Sequence, residues 1–103
     1  IFLHHHPVEI GSPTMDKMVI ENSKILLDLI RQNNSIKGVS WGHIHNVFET
    51  GLNSAKLFST PSTCYQSKPK SETFIIDTNE KPGYRIIYFS SDGGLDTEIV
   101  RVS

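Results

Sequence analysis

The chain has 103 residues, 37% hydrophobic and 20% charged, with a net charge of −1, which is ordinary globular material for one modest domain near the lower end of domain size. It carries no basic stripe to neutralise nucleic-acid phosphates and no apolar run approaching the roughly 18 residues that span a bilayer, so polymer binding and membrane insertion are both disfavoured. Its single cysteine, Cys64, cannot form an internal disulfide and suits a reducing cytoplasm.

In chain order, Ile1 to about His5 reads as a short buried strand, followed by Pro7 to Lys17 as a loop turned by Gly11, Ser12 and Pro13. Alternation along that strand would put Leu3 and His5 on one face and His4 and His6 on the other. Asn22 or Ser23 is placed to cap a helix running to about Gln32. Ile25, Leu26, Leu29 and Ile30 make its apolar stripe, with Lys24, Asp28, Arg31 and Gln32 mostly opposite, and Asn33-Asn34-Ser35 ends it. Lys37 to Trp41 is the next strand, and a helix leading into it follows the βαβ logic of an α/β protein.

Beyond that point the texture changes. Val47–Thr50, Lys56–Thr60, Thr73–Asp77, Tyr84–Phe89 and Glu98–Val102 read as strands of a mostly antiparallel meander. Thr50-Gly51-Leu52-Asn53 and Ser91-Asp92-Gly93-Gly94 are its clearest hairpin turns. There is no internal repeat and no low-complexity segment. Cys64 reads as a small residue tucked beside a strand, and Arg85 either as a solvated strand residue or as a phosphate contact.

All five histidines fall in two segments, Leu3-His4-His5-His6-Pro7 and Trp41-Gly42-His43-Ile44-His45-Asn46. Neutral imidazole is the commonest metal ligand, and an i, i+2 pair in an extended turn would present both rings to one side. Gly42, lacking Cβ, suits a sharp turn with positive φ at the strand end. A lone His-x-His is as often a polar turn as a metal site. The second cluster, in an apolar strand context, moves the balance towards metal, and three histidines are few for a purification tag.

These two motifs resemble the C-terminal metal-ligand set of the calcineurin-like metallophosphoesterases. Ser59-Thr60-Pro61-Ser62-Thr63-Cys64, Pro82-Gly83-Tyr84-Arg85 and Asp92-Gly93-Gly94-Leu95 follow in the order and spacing of the bacterial cyclic-AMP phosphodiesterase branch, and the likeness runs almost from end to end. The family also uses an Asp-x-His, a Gly-Asp pair and a Gly-Asn-His-Asp/Glu segment from the N-terminal part of the domain. Neither Asp-x-His nor Asn-His occurs here. The resemblance therefore implies that residues 1–103 are the C-terminal part of a single metallophosphoesterase domain, a portion of a four-layer αββα sandwich with one main helix.

What the resemblance implies chemically is metal-dependent phosphodiester hydrolysis, with 3′,5′-cyclic AMP as the expected substrate and 5′-AMP as product. His5 and His43 would bind one divalent ion and His45 the other, while His6 would stand beside the metals or towards substrate. The general acid would be the histidine of the absent Asn-His segment, so no catalytic residue is expected within the chain. Imidazole and carboxylate ligands suit Fe, Mn or Zn, and two ions side by side would activate water for in-line attack on phosphorus. Incomplete metal occupancy, loss of activity in isolation, and association of the chain into a dimer or larger assembly through unpartnered sheet edges are also expected. The alternatives are a broad-specificity or glycerophosphodiester phosphodiesterase, and a non-enzymatic histidine-metal or interaction module with a self-contained site.

Overall fold

Trp41, Val39 and Leu57, with almost no solvent exposure, occupy the middle of a sheet whose strands come from three separate stretches of chain. In the computed structural model, which describes residues 1–103, the elements are β1 (Phe2–Leu3), α1 (Pro13–Asp16), α2 (Ser23–Gln32), β2 (Gly38–Trp41), β3 (Glu49–Leu52), β4 (Ala55–Ser59), β5 (Gln66–Ser67), β6 (Ile76–Asp77), β7 (Gly83–Phe89) and β8 (Leu95–Arg101). Four strands form one mixed sheet in the order β1-β2-β4-β3, while β5–β6 and β7–β8 are separate two-stranded sheets.

The β1–α2–β2 passage is the expected crossover, because β1 and β2 pair in parallel, Phe2 opposite Ser40 and Leu3 opposite Trp41. β2 also pairs in parallel with β4, and β3 returns on β4 as a hairpin. The anticipated continuous meander is therefore replaced by three local hairpins in three sheets. Hairpin pairing is local, whereas the position of β4 beside β2 is decided by joint burial of Val39, Trp41 and Leu57. The β3–β4 turn falls on Asn53-Ser54, two residues later than its sequence signal, with Asn53 at φ 53°. The β7–β8 loop is at Ser90–Gly94 as anticipated, with Gly93 at φ 85°.

Helix α2 begins and ends where its sequence indicates, but its inward face differs. Ile30, Leu26 and Leu27 pack on the core, while Ile25 and Leu29 remain exposed beside the Lys24–Asp28–Arg31 ion pairs. Asn22 makes no side-chain cap bond. The other end of the helix is tied down by Asn53, whose Nδ2 donates to the Ile30 carbonyl (3.0 Å) and to Asn34 Oδ1 (2.8 Å).

β1 is shorter and wetter than expected: it ends at Leu3, and Phe2 is 72% exposed because β1 is an edge strand with β2 on one side only. On the sheet face away from α2, Arg85 lies over the Phe58 ring and Leu95 stands beside Gly38. Gly83 is required by a close approach, since a Cβ there would sit 2.8 Å from the Val100 carbonyl and 3.4 Å from Pro61. Cys64 is exposed, not tucked beside a strand, because its backbone turns outwards around Ser62, whose Oγ accepts from the Cys64 N–H. The whole is an α/β arrangement with one main helix and mixed sheets.

Candidate functional site

Parallel pairing of β1 with β2 places their C-terminal ends side by side, the position at which open α/β sheets present their ligand-binding loops. The chain leaving Leu3 carries His4, His5 and His6, and the chain leaving Trp41 carries His43 and His45. Two segments nearly forty positions apart are thus delivered to one place. The His5 and His43 rings lie 4.2 Å apart between centroids, His4 stands 5.1 Å from both, and the His6 ring is nearly parallel to that of His43 at 6.4 Å. His4 is exposed, because the strand stops one residue before it.

The loop after β2 is sharper than a glycine turn. Positive φ falls on His43 (62°) and His45 (54°), not on Gly42. Two histidines in the left-handed region within three residues store backbone strain of the kind that surrounding structure must hold in place. The Ile44 amide closes the turn onto the Gly42 carbonyl at 2.6 Å. The two rings consequently acquire different neighbours: His43 meets His4, His5, His6 and Met18, whereas His45 meets Tyr65 and Phe74.

A buried polar network supplies the holding force. Ser67 Oγ donates to the Ile44 carbonyl (2.6 Å) and accepts from Asn46 Nδ2 (2.9 Å), and the Ser67 amide donates to the His45 carbonyl (2.7 Å). Ser59 Oγ donates to the Asn46 carbonyl (2.6 Å) and receives the Phe48 amide (2.7 Å). Gln66, almost fully buried, pins the following turn by exchanging two bonds with the Ser62 backbone. Sequence reasoning missed Ser59, Gln66 and Ser67 in these roles. Only the Ser/Thr/Pro run of residues 59–63 hinted at them.

The ring nitrogens are partly oriented. His45 Nδ1 lies 3.1 Å from the Tyr65 carbonyl, which can only accept, so Nδ1 carries the proton and Nε2 holds the lone pair. A histidine poised in this way has the tautomer that metal-binding imidazoles adopt when a carbonyl receives their other N–H. His43 Nε2 faces the acceptor-only sulfur of Met18 at 3.1 Å. Burial, followed by the neighbouring imidazoles of His5, His4, His6 and His45, holds the His43 pKa below that of an ordinary histidine and favours its neutral, ligating form.

His6 is 0% exposed and neither ring nitrogen has a hydrogen-bond partner within normal reach. Its Nε2 stands 3.5 Å from Asp16 Oδ1, and burial outweighs that carboxylate, lowering the His6 pKa. Asp16 is not a solvated loop residue: it accepts the amides of Ile10 (2.8 Å) and Gly11 (3.0 Å) and so shapes the loop that covers His6.

No three His, Cys, Asp or Glu side chains converge closely enough to hold an ion by themselves. The donors come as a close imidazole pair, His5 with His43, and a separate oriented imidazole, His45. This chemistry suits borderline divalent metals as part of a larger ligand set. The largest apolar cleft, about 420 Å³, lies elsewhere, between Phe2, Phe58, Ile87, Phe89 and Leu95, and contains none of the histidines. Arg85, the other residue considered for phosphate contact, is turned inwards, its side chain 1% exposed and making four hydrogen bonds to protein acceptors.

No family model matches the chain. It is 40% identical over 102 residues to a 3′,5′-cyclic adenosine monophosphate phosphodiesterase of Pseudomonas aeruginosa, covering 99% of this chain and 37% of that protein. It is 37% identical to a 3′,5′-cyclic-nucleotide phosphodiesterase of Nostoc, covering 99% and 38% respectively. With the 3′,5′-cyclic adenosine monophosphate phosphodiesterase of Escherichia coli K12 the identity is 35%, covering 100% of this chain and 37% of the relative. The chain thus spans a little over a third of the length of the relatives it matches.

Proposed function

The chain belongs to the metallophosphoesterase family, alongside the bacterial cyclic-nucleotide phosphodiesterases it matches along its length, and on that premise we propose that it supplies histidine ligands to a binuclear centre that hydrolyses 3′,5′-cyclic AMP to 5′-AMP. The observation that carries this reading is the 4.2 Å approach of His5 to His43, brought about by parallel pairing of β1 with β2.

In this reading His5 and His43 hold one divalent ion, of iron, manganese or zinc, and His45 offers Nε2 to a second. Two such ions would supply Lewis acidity to a phosphodiester and would lower the pKa of bound water. The chain's own residues act by position. Tyr65 fixes the His45 tautomer, the Asn46–Ser67–Ser59 network holds the strained loop, and His6 backs the His43 ring from the buried side. The remaining ligands and the leaving-group acid come from a part of the protein outside these 103 residues, within a four-layer sandwich of which this is one portion. The absence of any three-donor group favours this shared site over a self-contained metal module.

The exposed Ile1, Phe2 and Phe89 side chains and the free edge of β1 support association of the chain by itself into a dimer or larger assembly. No helix is long and apolar enough to cross a membrane, and the exposed lone Cys64 supports a reducing, cytoplasmic setting. The test is hydrolysis of cyclic AMP, with bis-p-nitrophenyl phosphate as a general phosphodiester, by the full-length protein and by residues 1–103 with added manganese. Activity of the longer protein alone, abolished by His43→Ala, is the expected result. Full turnover by residues 1–103 overturns the shared-site reading.

A further inference from the structure

Next to His45, on the side away from the histidine cluster, two large aromatic side chains stand unburied. Tyr65 is 44% and Phe74 is 43% exposed, and their rings meet at 84° with centroids 6.1 Å apart. The His45 ring closes the corner, 4.8 Å from Tyr65 and 6.3 Å from Phe74. Neither aromatic belongs to the hydrophobic core.

This corner is built on fixed backbone. Tyr65 is held through its carbonyl by His45 Nδ1 and precedes β5, which pairs with β6 at Gln66–Asp77 and Ser67–Ile76. Phe74 enters from the loop between those two strands, which the Lys68 amide closes onto the Ile75 carbonyl at 2.8 Å. A half-exposed aromatic face costs solvation without adding to the core, and grouped aromatic faces beside a polar cluster are a mark of ligand contact.

We propose that Tyr65 and Phe74 form a stacking platform for the base of the cyclic nucleotide, and so determine preference for nucleotides over other phosphodiesters. The proposal rests on the phosphodiesterase reading for the neighbouring histidines. A 3′,5′-cyclic nucleotide is an aromatic base one ribose away from a phosphodiester. The chain places an aromatic corner, with exposed ring faces, directly against one of the imidazoles proposed to face that phosphodiester. Stacking suits the occupant because every nucleobase has a π-face, and the corner offers ring faces where a hydrogen-bonding code would need fixed donors and acceptors. A glycerol-type or alkyl diester has no flat group to place there.

The test compares kcat/KM of the full-length protein on cyclic AMP with that on ribose 3′,5′-cyclic phosphate, which lacks the base. Tyr65→Ala and Phe74→Ala are expected to lower the cyclic AMP to baseless ratio about tenfold, through KM, and Tyr65→Phe to restore it. An equal loss on both substrates, or no loss on either, overturns the platform. Should the unaltered protein hydrolyse neither compound, the phosphodiesterase reading fails, and the platform is judged by titration with 5′-AMP. Displaced NMR signals of the Tyr65 and Phe74 rings, abolished in Tyr65→Ala, would then uphold it, and unmoved signals would refute it.

Discussion

Arg85 fastens β7 to the end of β4 by donating twice to the Ser59 carbonyl, from Nε at 3.1 Å and from Nη2 at 2.8 Å. The same guanidinium donates from Nη1 to Glu49 Oε1 and Thr97 Oγ1, both at 3.0 Å, and lies 4.6 Å above the Phe58 ring. A planar fork is needed to meet these acceptors together, and lysine cannot reproduce it. Arg85→Ala is expected to destabilise the fold by about 3 kcal/mol, because hydrogen bonds to a charged, buried group are lost and a carbonyl is left unpaired. Arg85→Lys should recover less than half of that. Glu49→Gln, at a half-exposed partner, should cost less than about 1 kcal/mol. Urea unfolding followed by the fluorescence of buried Trp41 measures all three, and equal stability of the Arg85→Ala protein would sink the account.

The histidine loop depends on Ser67 in a different way. Its hydroxyl donates to the Ile44 carbonyl and accepts from Asn46 Nδ2, which also donates to that carbonyl at 3.2 Å, so the three groups close one buried ring of hydrogen bonds. Ser67→Ala is expected to cost about 1–3 kcal/mol, because two buried hydrogen bonds are lost and only the longer Asn46–Ile44 bond remains. Because the strained backbone of His43 and His45 loses one of its anchors and keeps from Ser67 only the amide bond to the His45 carbonyl, metal affinity should also weaken, by about tenfold. Isothermal titration with manganese on the full-length protein reads the second effect, and an unchanged affinity would show that the loop keeps its shape without this network.

Much of this arrangement is legible locally. The period of apolar residues and Asn33-Asn34 marked helix α2 at both ends, and the two histidine motifs marked the place where β1 and β2 deliver their loops. What escaped was set by distant packing. Ile25 and Leu29 are as apolar as Leu27, and only the position of β2 decides which of them faces inwards. Arg85 reads as a surface residue until Ser59 and Glu49 arrive from other strands. Positive φ belongs by local rules to Gly42, yet closure of Ile44 onto Gly42 moves it to His43 and His45. Tyr65 and Phe74 carry no motif at all, and their proximity to His45 is a product of the β5–β6 pairing.

At the other end of the molecule, Tyr88 donates its hydroxyl to Glu98 Oε1 at 2.5 Å across the β7–β8 hairpin. The bond to Glu98, before any other influence, raises the Tyr88 pKa, since ionising the phenol would set two negative charges together. The folded chain therefore holds this proton more tightly than the unfolded chain. The stabilisation is present in full below the ordinary tyrosine pKa of about 10 and is lost as pH rises through the higher folded value. Alkaline titration of tyrosine absorbance should show one phenol ionising late, and Glu98→Gln should bring it back towards pH 10. A titration curve unaffected by Glu98→Gln would mean that the hydrogen bond does not persist in solution.

The pairing of His5 with His43 makes the metal dependence asymmetric. If those two imidazoles share one ion and His45 serves another, His5→Ala and His43→Ala should each remove one equivalent of bound metal from the full-length protein, whereas His45→Ala should remove the other. Chelation should abolish phosphodiester hydrolysis and added manganese should restore it in the unaltered protein. His5→Ala and His43→Ala should each reduce activity by more than about a hundredfold, beyond the range caused by loss of a residue that merely supports a ligand. The double variant should be little worse than either single one, because removing one of two groups that act as a unit already removes the unit. Multiplicative losses would instead place His5 and His43 in independent roles, and the 4.2 Å contact between their rings would then be packing without shared coordination.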